Sequence, residues 1–224
     1  MIDTHAHLCF PEFDKDREEI VTEARKRMTA VIASSARYEE GLKVLELAKK
    51  HKGFVYASLG YHPAEGDRPQ DILELVEKSR DKIVAVGEVG LDFHWVKESE
   101  KRELQKKWFL KFIELAGRIG KPLVIHSWDA EQECFELVKG RGLDCVFHCF
   151  SGKTELVQEV IDHGFYISVS TNVLFSKTTR KVAKAIPLEK CCWRQMRLFW
   201  TQRGSGTCPG MWSSRLLKLP SSEE

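Results

Sequence analysis

Short apolar runs alternate with longer charged, amphipathic stretches through the first 190 residues. Seven runs predict strands, at residues 2–4, 30–33, 55–59, 83–86, 123–125, 145–147 and 166–169. They are rich in Val and Ile and carry little charge on either face, as strands buried on both sides of a parallel sheet do. Seven stretches between them predict helices, at residues 14–27, 39–51, 70–79, 98–117, 131–139, 154–163 and 178–185. In the fourth, Trp108, Phe109, Phe112, Ile113 and Ala116 recur at helical spacing, which predicts a face packed on the sheet.

Strand-then-helix repetition predicts an α/β architecture with a parallel sheet. Seven βα units predict a TIM-type (β/α)8 barrel that lacks its last unit, with strand eight and the final helix missing or scrambled. Residues 1–190 would form the barrel domain, and residues 191–224 an aberrant, irregular tail. Three of the six tryptophans and three of the seven cysteines fall in that tail, and residues 191–222 contain no Asp or Glu.

Charge and composition narrow the function classes. The net charge is +2, of which the tail contributes +3, leaving −1 for residues 1–190. No broad basic face follows, so nucleic acid would have to be bound at a local site. Seven cysteines without regular spacing, and no signal peptide, predict a reducing, cytoplasmic location. Cys145 and Cys149 flank His148 without forming a Cys-x-x-Cys pair and read as buried thiols. No apolar run approaches a membrane span.

The polar exceptions fall at the ends of the predicted strands. His5 and His7 follow the first, Glu88 the fourth, His126 the fifth and His148 the sixth. Residues two apart on a strand share a face, so His5 and His7 can grip one ion together. Imidazole and carboxylate are ligands for Zn²⁺ and similar divalent ions. In an αβ barrel the carboxyl ends of the strands open onto one rim, where such groups converge. A carboxylate at a buried strand end also needs a cation or hydrogen-bond partners. The reading is a metal-dependent hydrolase in which Glu88 bridges two ions about 4 Å apart, suited to phosphodiester hydrolysis. His62 either holds a phosphate, backs a ligand or is bonded to backbone in its loop. Asp92 either orients a ligand histidine or caps the following helix. His94 and Trp128 lie just past ligand-bearing strands, on the expected rim, whereas His51 and His163 end helices and receive no catalytic role.

Asp3-Thr4-His5-Ala6-His7-Leu8, Gly60-Tyr61-His62-Pro63, Gly87-Glu88-Val89-Gly90-Leu91-Asp92, Pro122-Leu123-Val124-Ile125-His126 and His148-Cys149-Phe150-Ser151-Gly152 follow in order. Together they resemble the successive signatures of the TatD family, metal-dependent deoxyribonucleases of the amidohydrolase-like barrel superfamily. The resemblance covers residues 1–190. It implies two divalent ions (Mg²⁺, Mn²⁺ or Zn²⁺) held by His5, His7, Glu88, His126 and His148. His62, Asp92 and Ser151 would face the substrate or back the ligands. The implied substrate is DNA, with no membrane and no obligate protein partner.

That family also carries Glu-Thr-Asp-x-Pro at the end of strand eight, its Asp serving as metal ligand and catalytic base, and nothing here matches it. The codons of residues 191–196, regrouped one base earlier, permit Met-Leu-Leu-Glu-Thr-Asp. This predicts a single-base frameshift at or just after Lys190. Two consequences are expected: open apolar edges on strands one and seven, which invite aggregation, and loss of a base worth roughly 10²–10⁴-fold in rate. Two other readings stay open: a small-molecule ester, lactone or amide hydrolase on the same barrel, and a non-catalytic metal-binding remnant.

Overall fold

In the computed structural model, which describes residues 2–193, each apolar run becomes a parallel strand and each charged stretch a helix. The strands are β1 (Ile2–Ala6), β2 (Ala30–Ser34), β3 (Val55–Leu59), β4 (Ile83–Gly90), β5 (Leu123–His126), β6 (Cys145–Phe147), β7 (Tyr166–Val169) and β8 (Cys191–Trp193). The intervening helices are α1 (Arg17–Arg25), α2 (Tyr38–Lys50), α3 (Pro69–Lys78), α4 (Ser99–Ile119), α5 (Glu131–Val138), α6 (Thr154–Asp162) and α7 (Lys177–Ala185). Every strand pairs in parallel with the next one in the chain, giving one eight-stranded sheet in the order β1 to β8. β8 comes close to β1, but no ladder joins them among the described residues, so the barrel is nearly closed.

Two strands outrun their apolar patterns. β1 continues through His5 to Ala6, and β4 through Glu88 to Gly90. A charged or imidazole side chain ends a hydrophobic run in the sequence. It does not end the backbone ladder, because pairing uses only N–H and C=O groups. Thus, past a register shift between Val86 and Val89, Val89 and Gly90 still pair with Ile125 and His126.

The helices cover the sheet by the stripes their spacing predicted. In α4, Phe109, Phe112, Ile113 and Ala116 are buried, while Trp108 is only partly covered at its edge. Gly120 closes this helix in the left-handed region, at φ +65°, and its N–H bonds back to the last turn. Pro69 opens α3, where a missing N–H costs no helical hydrogen bond.

The position of strand eight is filled rather than vacant. Cys191, Cys192 and Trp193 pair with Ile167, Ser168 and Val169 of β7, so β7 does not present the open edge expected for it. A segment unlike the family's still makes a strand, because pairing uses only backbone N–H and C=O groups and the free edge of β7 supplies the partners. The barrel thus runs three residues past the boundary expected at Lys190. The expected loss of the final helix, and the tail from residue 194 on which the frameshift reading mainly bears, lie outside the described residues. Among the described residues no helix is long and apolar enough to cross a membrane.

Candidate metal centre

The strand ends meet at Glu88, which β4 carries into the barrel mouth at 3% exposure. Its Oε2 lies 3.0 Å from His5 Nε2 and 3.4 Å from His7 Nε2, and those two ring nitrogens are 3.0 Å apart. Its Oε1 lies 2.9 Å from His126 Nδ1. The His148 ring stacks on that of His5, with centroids 3.8 Å apart, and offers an atom within 4.8 Å of those of His5 and Glu88. His62 forms a similar group of three with Glu88 and His126. The sequence-predicted set of His5, His7, Glu88, His126 and His148 is therefore one cluster on one carboxylate.

Glycine makes this convergence possible at two points. A Cβ on Gly90, which sits at φ +145°, would come within 2.0 Å of the His126 carbonyl oxygen. One on Gly60 would come within 2.5 Å of the Glu88 carbonyl oxygen. Strands β3, β4 and β5 approach this closely only because both positions lack a side chain.

Around the cluster, other polar groups fix ring orientations. Asp92 Oδ2 is 2.8 Å from His126 Nε2, and its Oδ1 accepts the Trp95 N–H at 2.7 Å. Asp92 thus meets a histidine of the cluster, but it does not cap the following helix. Glu98 stands at the N-cap of α4 with no side-chain cap bond, and Asp92 closes only the turn at Trp95. Ser34 Oγ meets His5 Nδ1 at 3.1 Å, and Ser168 Oγ meets His148 Nδ1 at 3.2 Å. His62 is different: its Nδ1 lies 3.2 Å from the N–H groups of Ala64 and Glu65 and accepts from them. That places its proton on Nε2, which makes His62 a hydrogen-bond donor towards the cluster rather than a ligand. Ser151 donates to Glu131 Oε1 at 2.7 Å, so its hydroxyl is committed there.

Glu40 is the group the sequence reading missed. It is 7% exposed, and its Oε2 accepts the Ala36 N–H at 2.6 Å. Its Oε1 faces His7 Nδ1 at 3.6 Å, and neither of these two atoms has a hydrogen-bond partner. The signal was present in α2, where Glu40, Val44 and Leu47 fall on one face and all three are buried. A carboxylate on a helix's apolar stripe needs a reason to be there.

The charges are mutually supporting. Burial opposes ionisation of Glu88, but the surrounding His5, His148 and His126 hold its carboxyl well below the usual range. Burial likewise disfavours charge on His126, yet hydrogen bonds to Asp92 and Glu88 outweigh it and raise this pKa to about 9. His7, against burial, is raised to about 9 by the negative charges of Glu40 and Glu88 beside it. Burial pushes His62 down to about 3, so it is neutral, in keeping with a donor that carries a single proton. Two imidazole nitrogens and a carboxylate oxygen within 3.4 Å of one another need shared positive charge between them. A proton can supply it, and so can a divalent cation, for which this N,N,O set is suited. The residues fit a metal centre.

Residues 2–192 match the family described as TatD related DNase. The chain belongs to that family. An uncharacterized metal-dependent hydrolase of Methanocaldococcus jannaschii is 34% identical over 192 residues, covering 84% of this chain and 74% of that protein. The deoxyribonuclease TATDN3 of Homo sapiens is 30% identical over 207 residues, covering 86% and 76%. Among solved structures, the TatD homolog YJJV from Escherichia coli K12 superposes with a TM-score of 0.76 at 28% identity, covering 85% of this chain and 76% of that one. This TatD-family chain is a metal-dependent hydrolase by family, with candidate metal-binding groups at the strand ends.

Proposed function

We propose that the chain hydrolyses phosphodiester bonds of DNA with two divalent ions held by His5, His7, Glu88, His126 and His148. The observation that carries the reading is the division of Glu88, with Oε2 turned to His5 and His7 and Oε1 to His126. A carboxylate with distinct partners on its two oxygens suits a bridge between two cations. Bound there, the ions would polarise the phosphoryl oxygen and lower the pKa of water. DNA as substrate is supported by the family description and by the name of the human relative.

The chain's own residues supply the rest. Asp92 holds a proton of His126 on Nε2, so that Nδ1, the nitrogen beside Glu88, is the one that would give up its proton to a cation. His62 presents Nε2–H to a non-bridging phosphate oxygen, and its burial keeps it from becoming an imidazolium that would repel the ions. No carboxylate follows β8 through residue 222, so the base that the family pattern places there is missing. Turnover is accordingly expected roughly 10²–10⁴-fold below that of a chain with the acid in place. Six free cysteines among the described residues support a reducing, cytoplasmic setting.

The test incubates the purified full chain with a single-stranded DNA oligonucleotide, and separately with a lactone and an amide, in Mg²⁺, Mn²⁺ or Zn²⁺ and in chelator. Metal-dependent shortening of the DNA alone supports the proposal. Turnover of the lactone or amide alone moves the reading to a small-molecule hydrolase. Metal uptake by calorimetry with no turnover of any substrate marks a metal-binding remnant, the alternative that the missing acid favours.

A further inference from the structure

An aromatic corner stands on the rim beside the cluster. His94, in the loop after β4, stacks flat on Trp128, in the loop after β5, with centroids 4.0 Å apart and planes 7° from parallel. Trp95 stands perpendicular to both rings, at 89° and 85°, with centroids 5.2 and 6.1 Å away. Trp95 is 59% exposed, an unusual place for the largest apolar side chain.

The corner is built, not incidental. The Phe93 N–H donates to the Trp128 carbonyl at 2.9 Å, tying the two loops together. Asp129 sits at φ +56°, a left-handed conformation that Asp tolerates better than most residues, and its Oδ2 meets His94 Nδ1 at 3.0 Å. Lys97 Nζ and Arg102 Nη2 both donate to the Phe93 carbonyl, at 2.9 and 3.0 Å, which brings two cations to the same loop. Most tellingly, Asp92 accepts the Trp95 N–H with one oxygen and meets His126 with the other. One carboxylate therefore fixes both a member of the metal cluster and the exposed ring.

We propose that Trp95, backed by the His94–Trp128 stack, is a stacking subsite for an unpaired nucleobase of a single-stranded DNA whose phosphate lies at the Glu88 cluster. The inference rests on the phosphodiesterase reading for its choice of ligand. A ring this exposed offers its face to any base, so the subsite selects single strands rather than sequence. A base within a duplex is already stacked on both sides and does not reach it without being flipped out. The nearby Lys97 and Arg102 add the positive charge that a phosphate backbone seeks.

The test measures anisotropy of labelled hexathymidylate and of a base-free deoxyribose-phosphate hexamer on the full chain, with divalent metal present. The same samples are assayed for cleavage. Wild type is expected to bind the base-bearing strand about tenfold more tightly than the base-free one. Trp95→Ala is expected to erase that preference and Trp95→Phe to keep most of it. An equal preference in wild type and Trp95→Ala, or none in wild type, overturns the subsite. If Trp95→Ala does not fold, quenching of wild-type tryptophan emission by both strands alike overturns it, and quenching by the base-bearing strand alone supports it. Preference without cleavage sinks the hydrolase reading and leaves the subsite standing; cleavage without preference does the reverse.

Discussion

The two oxygens of Glu88 keep different company. On the β5 side, His126 is pinned between Glu88 at 2.9 Å and Asp92 at 2.8 Å, both distances of direct charge-assisted hydrogen bonds. On the β1 side, His5 and His7 crowd Oε2 at 3.0 and 3.4 Å, and the carboxylate behind His7, Glu40, stands off at 3.6 Å. That last gap is too long for a hydrogen bond. The β5 half is tightly hydrogen-bonded, whereas in the β1 half His7 Nδ1 and Glu40 Oε1 face each other at 3.6 Å without a hydrogen bond. On the two-ion reading proposed above, the difference predicts an order: the β5 position would be pre-set, and the β1 position would tighten as it fills.

The largest break in this comparison comes from removing what the halves share. Glu88→Gln takes away the one anion that His5, His7 and His126 all face. Turnover is expected to fall by at least about 10³-fold, as when a principal electrostatic group is lost from an active site. Calorimetry should show weaker binding at both positions. Loss at one position with normal affinity at the other would show that Glu88 does not join them.

Protons sharpen the comparison next. His7 and His126 hold their protons to about pH 9 in the metal-free chain, against 6.5 for an unperturbed histidine. The stability they lend the metal-free fold is therefore complete below pH 6.5 and is lost as pH rises through about 9. Metal binding runs the opposite way, because a cation must displace these protons. Affinity is expected to rise about tenfold per pH unit per proton displaced, and to level off near pH 9. Titrations at pH 6.5, 7.5 and 8.5 check this, and a pH-independent affinity would mean that neither imidazolium exists.

Much of this was legible in the sequence, and unevenly so. The strands and helices followed from apolar periodicity, with β3, β6 and β7 falling on their predicted residues. The five grouped residues were legible because histidine and glutamate are conspicuous at the ends of Val/Ile-rich strands. Glu40 was easily passed over because a glutamate in the first turn of a helix is ordinary, and only its place on the face of Val44 and Leu47 sets it apart from its neighbour Glu39. His62's role turned on which nitrogen its own loop occupies, a fact no spacing encodes. β8 was legible only in part: strand eight was expected to be missing or scrambled, and Cys191-Cys192-Trp193 has the backbone role without the acid. A strand's pairing and a strand's chemistry are separable.

The smallest expected effects test the two backing carboxylates against each other. Asp92→Asn replaces a direct ionic hydrogen bond to His126 by a neutral one, and it is expected to cost about 10–100-fold in metal affinity on the β5 side. Glu40→Gln removes a charge that stands 3.6 Å from His7, and it should cost less, roughly threefold to tenfold, confined to the β1 side. The ranking depends on the order of filling. If the β1 half closes on its cation, Glu40 moves into contact with His7 Nδ1, and its loss is felt more once metal is bound than before. The metal-free melting temperature of Glu40→Gln would then fall only by what Glu40 lends to the His7 proton, while the metal-induced rise would shrink by more. If Glu40→Gln instead weakens metal binding as much as Asp92→Asn, the two halves are equally pre-set, and the gap at His7 has no bearing on how the centre fills.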